Sequence, residues 1–255
     1  LVLGGQLDPA WMGMGRSMRE QGFMLALVLG VGGFLGPKLM GIHALPAADS
    51  QNFKAMLLKK FLIHGVWAAL FVASFILEGS EKDPKGYALR AAVVTGMFIW
   101  TRALNTKILA GPSLFIRLLS ASFWMIAAGY WFIPIFPKLV VPLLHLVFLG
   151  GFSSMIFCVS TMVVLNHAGQ GEKLDKPLWI FWLMAVGLTL SLGSRFTATF
   201  FGEQYFFLLG ISSVAWIAVG AGWLFFSAPY LWRVPGEKAP PLNHQDILKG
   251  TGHAC

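Results

Sequence analysis

Residues 145–167, HLVFLGGFSSMIFCVSTMVVLNH, contain no charged side chain and carry a histidine at each end. Apolar runs like this recur along the chain, and a stretch of about 17–25 such residues is what an α-helix needs to cross a hydrocarbon core. That recurrence constrains the fold more than any other feature. Lipid offers no water to backbone N–H and C=O groups, so a spanning segment closes its hydrogen bonds internally, as a helix. Seven spans are predicted, at 22–40, 60–78, 87–104, 114–134, 139–165, 178–195 and 205–232. Arg90 and Arg102 trim the apolar centre of the third. The expected fold class is all-α, a polytopic transmembrane helix bundle of about seven spans. Composition agrees: 12% of residues are charged, against about 25% in an ordinary soluble domain.

Three regions follow: an external N-terminal segment at 1–21, a transmembrane helical domain at 22–232, and a polar, Pro/Gly-rich cytoplasmic tail at 233–255. The formal net charge is +8. In a soluble protein that balance would suggest nucleic acid. Here the basic residues fall at span ends and in connections, where they orient a chain in the bilayer. The lipid bilayer is therefore the expected partner, and no nucleic acid is. Twelve of the 19 Lys and Arg residues collect on the side of the C-terminus and seven on the other. The more basic side is expected to be cytoplasmic, which puts residue 1 outside. That start requires either an exported N-terminus or an odd number of spans ahead of it. The only cysteines are Cys158, mid-span, and Cys255, so no disulfide framework is expected.

His145 and His167 are 22 positions apart in an uninterrupted apolar run. In an α-helix that is roughly 33 Å of rise, with the two side chains within about 40° of one face. One metal ion cannot hold both, so two sites would be needed. Near the cytoplasmic side, His167 is joined by His43 and by His64, three imidazoles that converge if their helices are neighbours. Neutral imidazole is a common metal ligand and axial histidines hold haem iron. Near the outer side, His145 shares its depth with Arg90 and Arg195, and a guanidinium pairs bidentately with a carboxylate such as a haem propionate. An ionisable residue inside a span is a functional candidate by default. Met12, Met14 and Met18 supply soft thioethers of the kind that bind Cu(I). Each residue also has an ordinary role: an interfacial loop histidine, a helix–helix hydrogen bond, an arginine anchoring a span end, or a methionine in apolar packing. No catalytic residue is assigned.

The stretch LLHLVFLGGFSSMIFCVSTMVVLNHAG resembles the NnrS family of bacterial membrane proteins. In that family a span carries an early His, then glycines, then a Met, and closes in a Gly-His-Thr-Gly loop. His145, Gly150, Gly151, Met155, His167 and Gly169 match. LGVGGFLGPKLM is similar to the family's Gly-Gly-Arg-x-x-Pro segment through Gly32, Gly33 and Pro37, with Phe34 in place of the Arg. Asn166, Ala168 and Gln170 depart from the loop pattern, and the His-x-His-Glu-Met motif of the family's N-terminal half is absent. The resemblance implies a haem- and copper-associated, multi-pass protein of the bacterial inner membrane, tied to nitric-oxide tolerance in denitrifying or nitric-oxide-exposed bacteria. Further spans ahead of residue 1, or a larger membrane complex, are expected with it. Two other classes fit the residues. One is a small-solute or anion transporter using the intramembrane arginines and the glycine-interrupted GVGGFLGP segment. The other is a non-catalytic structural subunit.

Overall fold

The computed structural model describes residues 9–28, 53–79, 83–104, 111 and 113–232, without the side chains of 9, 10, 53–57, 59 and 60. His43, the glycine-rich 29–40 stretch and the 233–255 tail lie outside the described residues. Among the described residues there is no strand; the chain is an all-α bundle. α1 runs Pro9–Ser17, through a π-helical turn at Met18–Gly22, to Phe23–Leu27. It crosses the expected 21/22 boundary without a break. α2 is Phe53–Glu78, α3 Pro84–Trp100 and α4 Leu114–Ile135. α5 comprises Val140–His145, a π-helical segment Leu146–Ser153, and Ser154–His167. α6 is Trp179–Ala198 and α7 Tyr205–Leu231.

Five stretches are long and apolar enough to cross a membrane: Phe61–Glu78, Leu114–Ile135, Pro137–His167, Trp179–Ala198 and Gly202–Leu231. They coincide with five of the seven predicted spans. α3 is shorter, 17 residues with Lys85 and Arg90 in its first half, yet it packs between α2 and α4 as a full member of the bundle. The predicted first span is described only as far as Val28.

Local chemistry sets the helix ends. Gly79, at φ +56°, ends α2 in a left-handed conformation that costs glycine little. Four residues later the Asp83 carboxylate accepts the Lys85 N–H at 2.8 Å, with Pro84 in the first turn of α3. This is the usual start of a helix. Gly86 then lets α3 lie directly on the end of α2, since a Cβ there would stand 2.5 Å from the Glu78 backbone nitrogen.

Neighbours in sequence are neighbours in space. α2 packs on α3, α3 on α4, α4 on α5, α5 on α6 and α6 on α7, while α7 also returns to α5. α4 runs through the middle, burying Leu119, Phe123, Ile126 and Tyr130 against Phe98 of α3 and Val147 and Phe152 of α5. α5 approaches α4 closely because Gly151 faces Ile126 and Gly129 faces Val147, with no room for a Cβ at either. This is close helix packing through small residues. α2 and α7 turn Phe61, Leu62, Phe206 and Phe225 outward, as helices facing hydrocarbon do.

Candidate functional site

Two polar clusters sit at one end of the bundle, the end where α2 stops at Glu78. The first is built around Arg90, two turns into α3 and fully buried. Its Nη2 donates to Glu78 Oε2 at 2.5 Å, its Nη1 to Gln21 Oε1 at 2.6 Å and its Nε to Ser74 Oγ at 3.3 Å. Phe75 lies under the guanidinium at 3.7 Å, with Tyr87 and Tyr130 near its edges. The second Glu78 oxygen accepts from Ser17 Oγ at 2.9 Å, and Tyr130 donates to Gln21 Oε1 at 3.4 Å. Four helices thus enclose a compensated ion pair. Arg90 has a carboxylate partner from this chain, which a haem propionate would have to displace.

The second cluster joins α5, α6 and α7. His145 Nδ1 lies 2.7 Å from the Val141 carbonyl. A carbonyl only accepts, so Nδ1 carries the proton and Nε2 keeps its lone pair. That lone pair accepts Nε–H of Arg195 at 2.8 Å. The two residues line a cleft of about 360 Å³ with Leu149, Ser191, Ser212, Ser213, Trp216 and Ile217. On its floor Ser191 and Ser212 each donate to the other's carbonyl, at 2.9 and 2.8 Å. Among the described residues no carboxylate pairs with Arg195, and Arg195 lines the cleft.

The other candidates are not drawn into either cluster. His64 is exposed on α2, its ring 5.5 Å from that of Trp100. His167 is the exposed last residue of α5. α2 packs mainly on α3, and α5 on α4, α6 and α7, so these two imidazoles belong to helices with different principal partners. The expected shared face of His145 and His167 assumed uninterrupted α-helix. The eight-residue π segment between them closes wider i→i+5 turns, and the angular sum no longer holds. Met12 and Met14 lie two positions apart in α1, and residues at that spacing face different ways. Cys158 is buried in the core. No group of three His, Cys, Asp or Glu suited to a metal ion occurs among the described residues.

Sequence reasoning missed Glu78, Gln21, Ser74 and Tyr130. Only Glu78 left a signal, as an acid closing an otherwise uncharged run. Both clusters border a π-helical segment: Gln21 lies inside that of α1, and His145 immediately precedes that of α5. Such segments gather at functional sites.

The donor chemistry of His145 and Arg195 is closer to what haem asks of a site than to what copper asks. A metal-ligating histidine characteristically anchors its other ring N–H on a carbonyl or carboxylate, as His145 does on Val141, and Arg195 supplies a cation for a propionate. A copper site needs further soft or imidazole donors beside His145, and the described residues bring none there. A family model described as NnrS protein matches residues 2–234. No curated protein and no solved structure matches the chain.

Proposed function

This chain belongs to the NnrS family, and we propose that it binds haem at the His145–Arg195 cleft and serves the cell's response to nitric oxide from the bacterial inner membrane. Family membership and the multi-pass bundle support the setting. The observation that carries the haem reading is the hydrogen bond from His145 Nδ1 to the Val141 carbonyl. It fixes the tautomer that leaves Nε2 as a ligand and holds the ring's orientation.

Bound haem would supply a redox-active iron whose chemistry depends on its axial ligand and the polarity around it. The protein's part is binding and orientation. His145 presents Nε2 once Arg195 Nε–H releases it, and the freed guanidinium is placed to pair with a carboxylate. Leu149, Trp216 and Ile217 supply the apolar wall that limits water. Copper, the other group implied by the resemblance, would draw on donors beyond the described residues. The Arg195 cation, with no carboxylate partner among the described residues, favours a second reading, an anion-binding site in a transporter.

An optical spectrum with metal analysis on purified protein separates the two. Haem binding here predicts a Soret band and stoichiometric iron, both lost in His145→Ala and kept in His64→Ala. A colourless, iron-free protein from haem-replete cells, or a band that survives in His145→Ala, would reject the assignment. Anion uptake into liposomes by that colourless protein would favour the transporter.

A further inference from the structure

On the side of α5 and α6 that faces α4 lie two apolar hollows that share Thr189 and Leu192 as walls. The outer one, about 620 Å³, opens between the last turn of α4, the start of α5 and the end of α6, lined by Phe132, Phe136, Leu143, Leu146 and Phe196 among others. The inner one, about 140 Å³, lies nearer the middle of α4, against Ala121, Met125, Met184, Ala185 and Leu188. Gly150 lines the inner one. A Cβ built on it would lie 2.6 Å from Met125 Sδ, 3.4 Å from Leu146 and 3.5 Å from Leu192. The tight approach is to Met125, so a larger residue at 150 would press into the inner hollow. Gly150 also lies within the π-helical segment of α5.

We propose that the inner hollow is a binding site for a small apolar solute, the size of a diatomic gas or a xenon atom, entered sideways from the bilayer through the outer cleft. Its only polar side-chain groups are the hydroxyls of Ser154 and Thr189. An enclosed apolar cavity of about 150 Å³ stays dry and takes up xenon or benzene; this hollow has a similar volume but is partly open, with Thr189 exposed and Ala121, Met125 and Ala185 half-buried on its walls. Polarisable thioethers of Met125 and Met184 on its walls add dispersion contact. The outer cleft is walled mainly by Phe and Leu from three helices long and apolar enough to cross a membrane. Apolar gases dissolve preferentially in hydrocarbon, so this route meets them where they are concentrated. The site is on the opposite flank of α5 from His145 and does not rest on the haem assignment.

Crystals of the full chain grown from lipid and pressurised with xenon test this by anomalous scattering. The expected result is a xenon peak among Met125, Met184 and Ala185 in the unaltered protein. Ala185→Leu from α6 and Ala121→Leu from α4 each fill the hollow from a different wall, and either should reduce the peak to background while leaving the helical circular dichroism unchanged. The unaltered protein alone decides occupancy if neither variant folds. Absence of the peak overturns the proposal, as does a peak undiminished in a folded variant or continuous acyl-chain density filling the inner hollow.

Discussion

Arg90 carries a full positive charge at zero solvent exposure, and such a charge is tolerated only where a partner and hydrogen bonds replace its hydration. Glu78, Gln21 and Ser74 provide them. Removing one member of a buried pair strands the other, at a cost of about 3–5 kcal/mol, whereas replacing both with apolar residues of similar size is often neutral or better. Arg90→Met and Glu78→Met should therefore each lower the thermal unfolding midpoint of the detergent-solubilised protein strongly, and the double variant should recover most of the loss. Equal, additive losses in the double variant would show that the pair is not coupled. The arginines and His145 were legible in the sequence because ionisable residues stand out in apolar runs. Their partners were not. Glu78 reads as an acid at a span end and Gln21 as a residue before the first span. Only the fold brings the two within reach of one guanidinium, 69 positions from Gln21 to Arg90.

Among the elements, α5 departs furthest from what hydrophobic pattern conveys. Its span was plain from length and apolarity. Yet a run of LVFLGGFS does not announce a π helix, because apolarity all round has no phase to reveal the change in pitch. A π segment behaves as an α-helix with residues inserted, so deleting Gly151 should let α-helix close across 146–153. The turn carrying His145 would then rotate by about 100° relative to Ser154–His167, taking the ring away from Arg195. In a background with Cys158→Ser and Cys255→Ser, a short bifunctional maleimide should join His145→Cys to Arg195→Cys, and the deletion should suppress that cross-link severalfold. Equal cross-linking with and without Gly151 would mean that the π segment does not set the His145 position.

For the molecule as a whole, order along the chain predicts order in space, since short connections make each helix the antiparallel neighbour of the last. The bundle therefore has two distinct ends. One carries the Glu78–Asp83, Pro137–Leu139 and Gly202–Gln204 connections together with both polar clusters. The other carries His167 and the Gly171–Asp175 turn. The distribution of Lys and Arg argues that the first end faces out, because basic loops stay in the cytoplasm. If so, the His145–Arg195 cleft lies at the depth of the outer leaflet, and a ligand released on the external side reaches it without crossing the bilayer. Lys138 and Lys176 are exposed at opposite ends and report this directly. In the cysteine-free background, Lys138→Cys should react with a membrane-impermeant maleimide on spheroplasts, and Lys176→Cys only after lysis. The reverse labelling would put the cleft in the inner leaflet, leaving the charge count without force and supply of the site from the cytoplasm the consistent alternative.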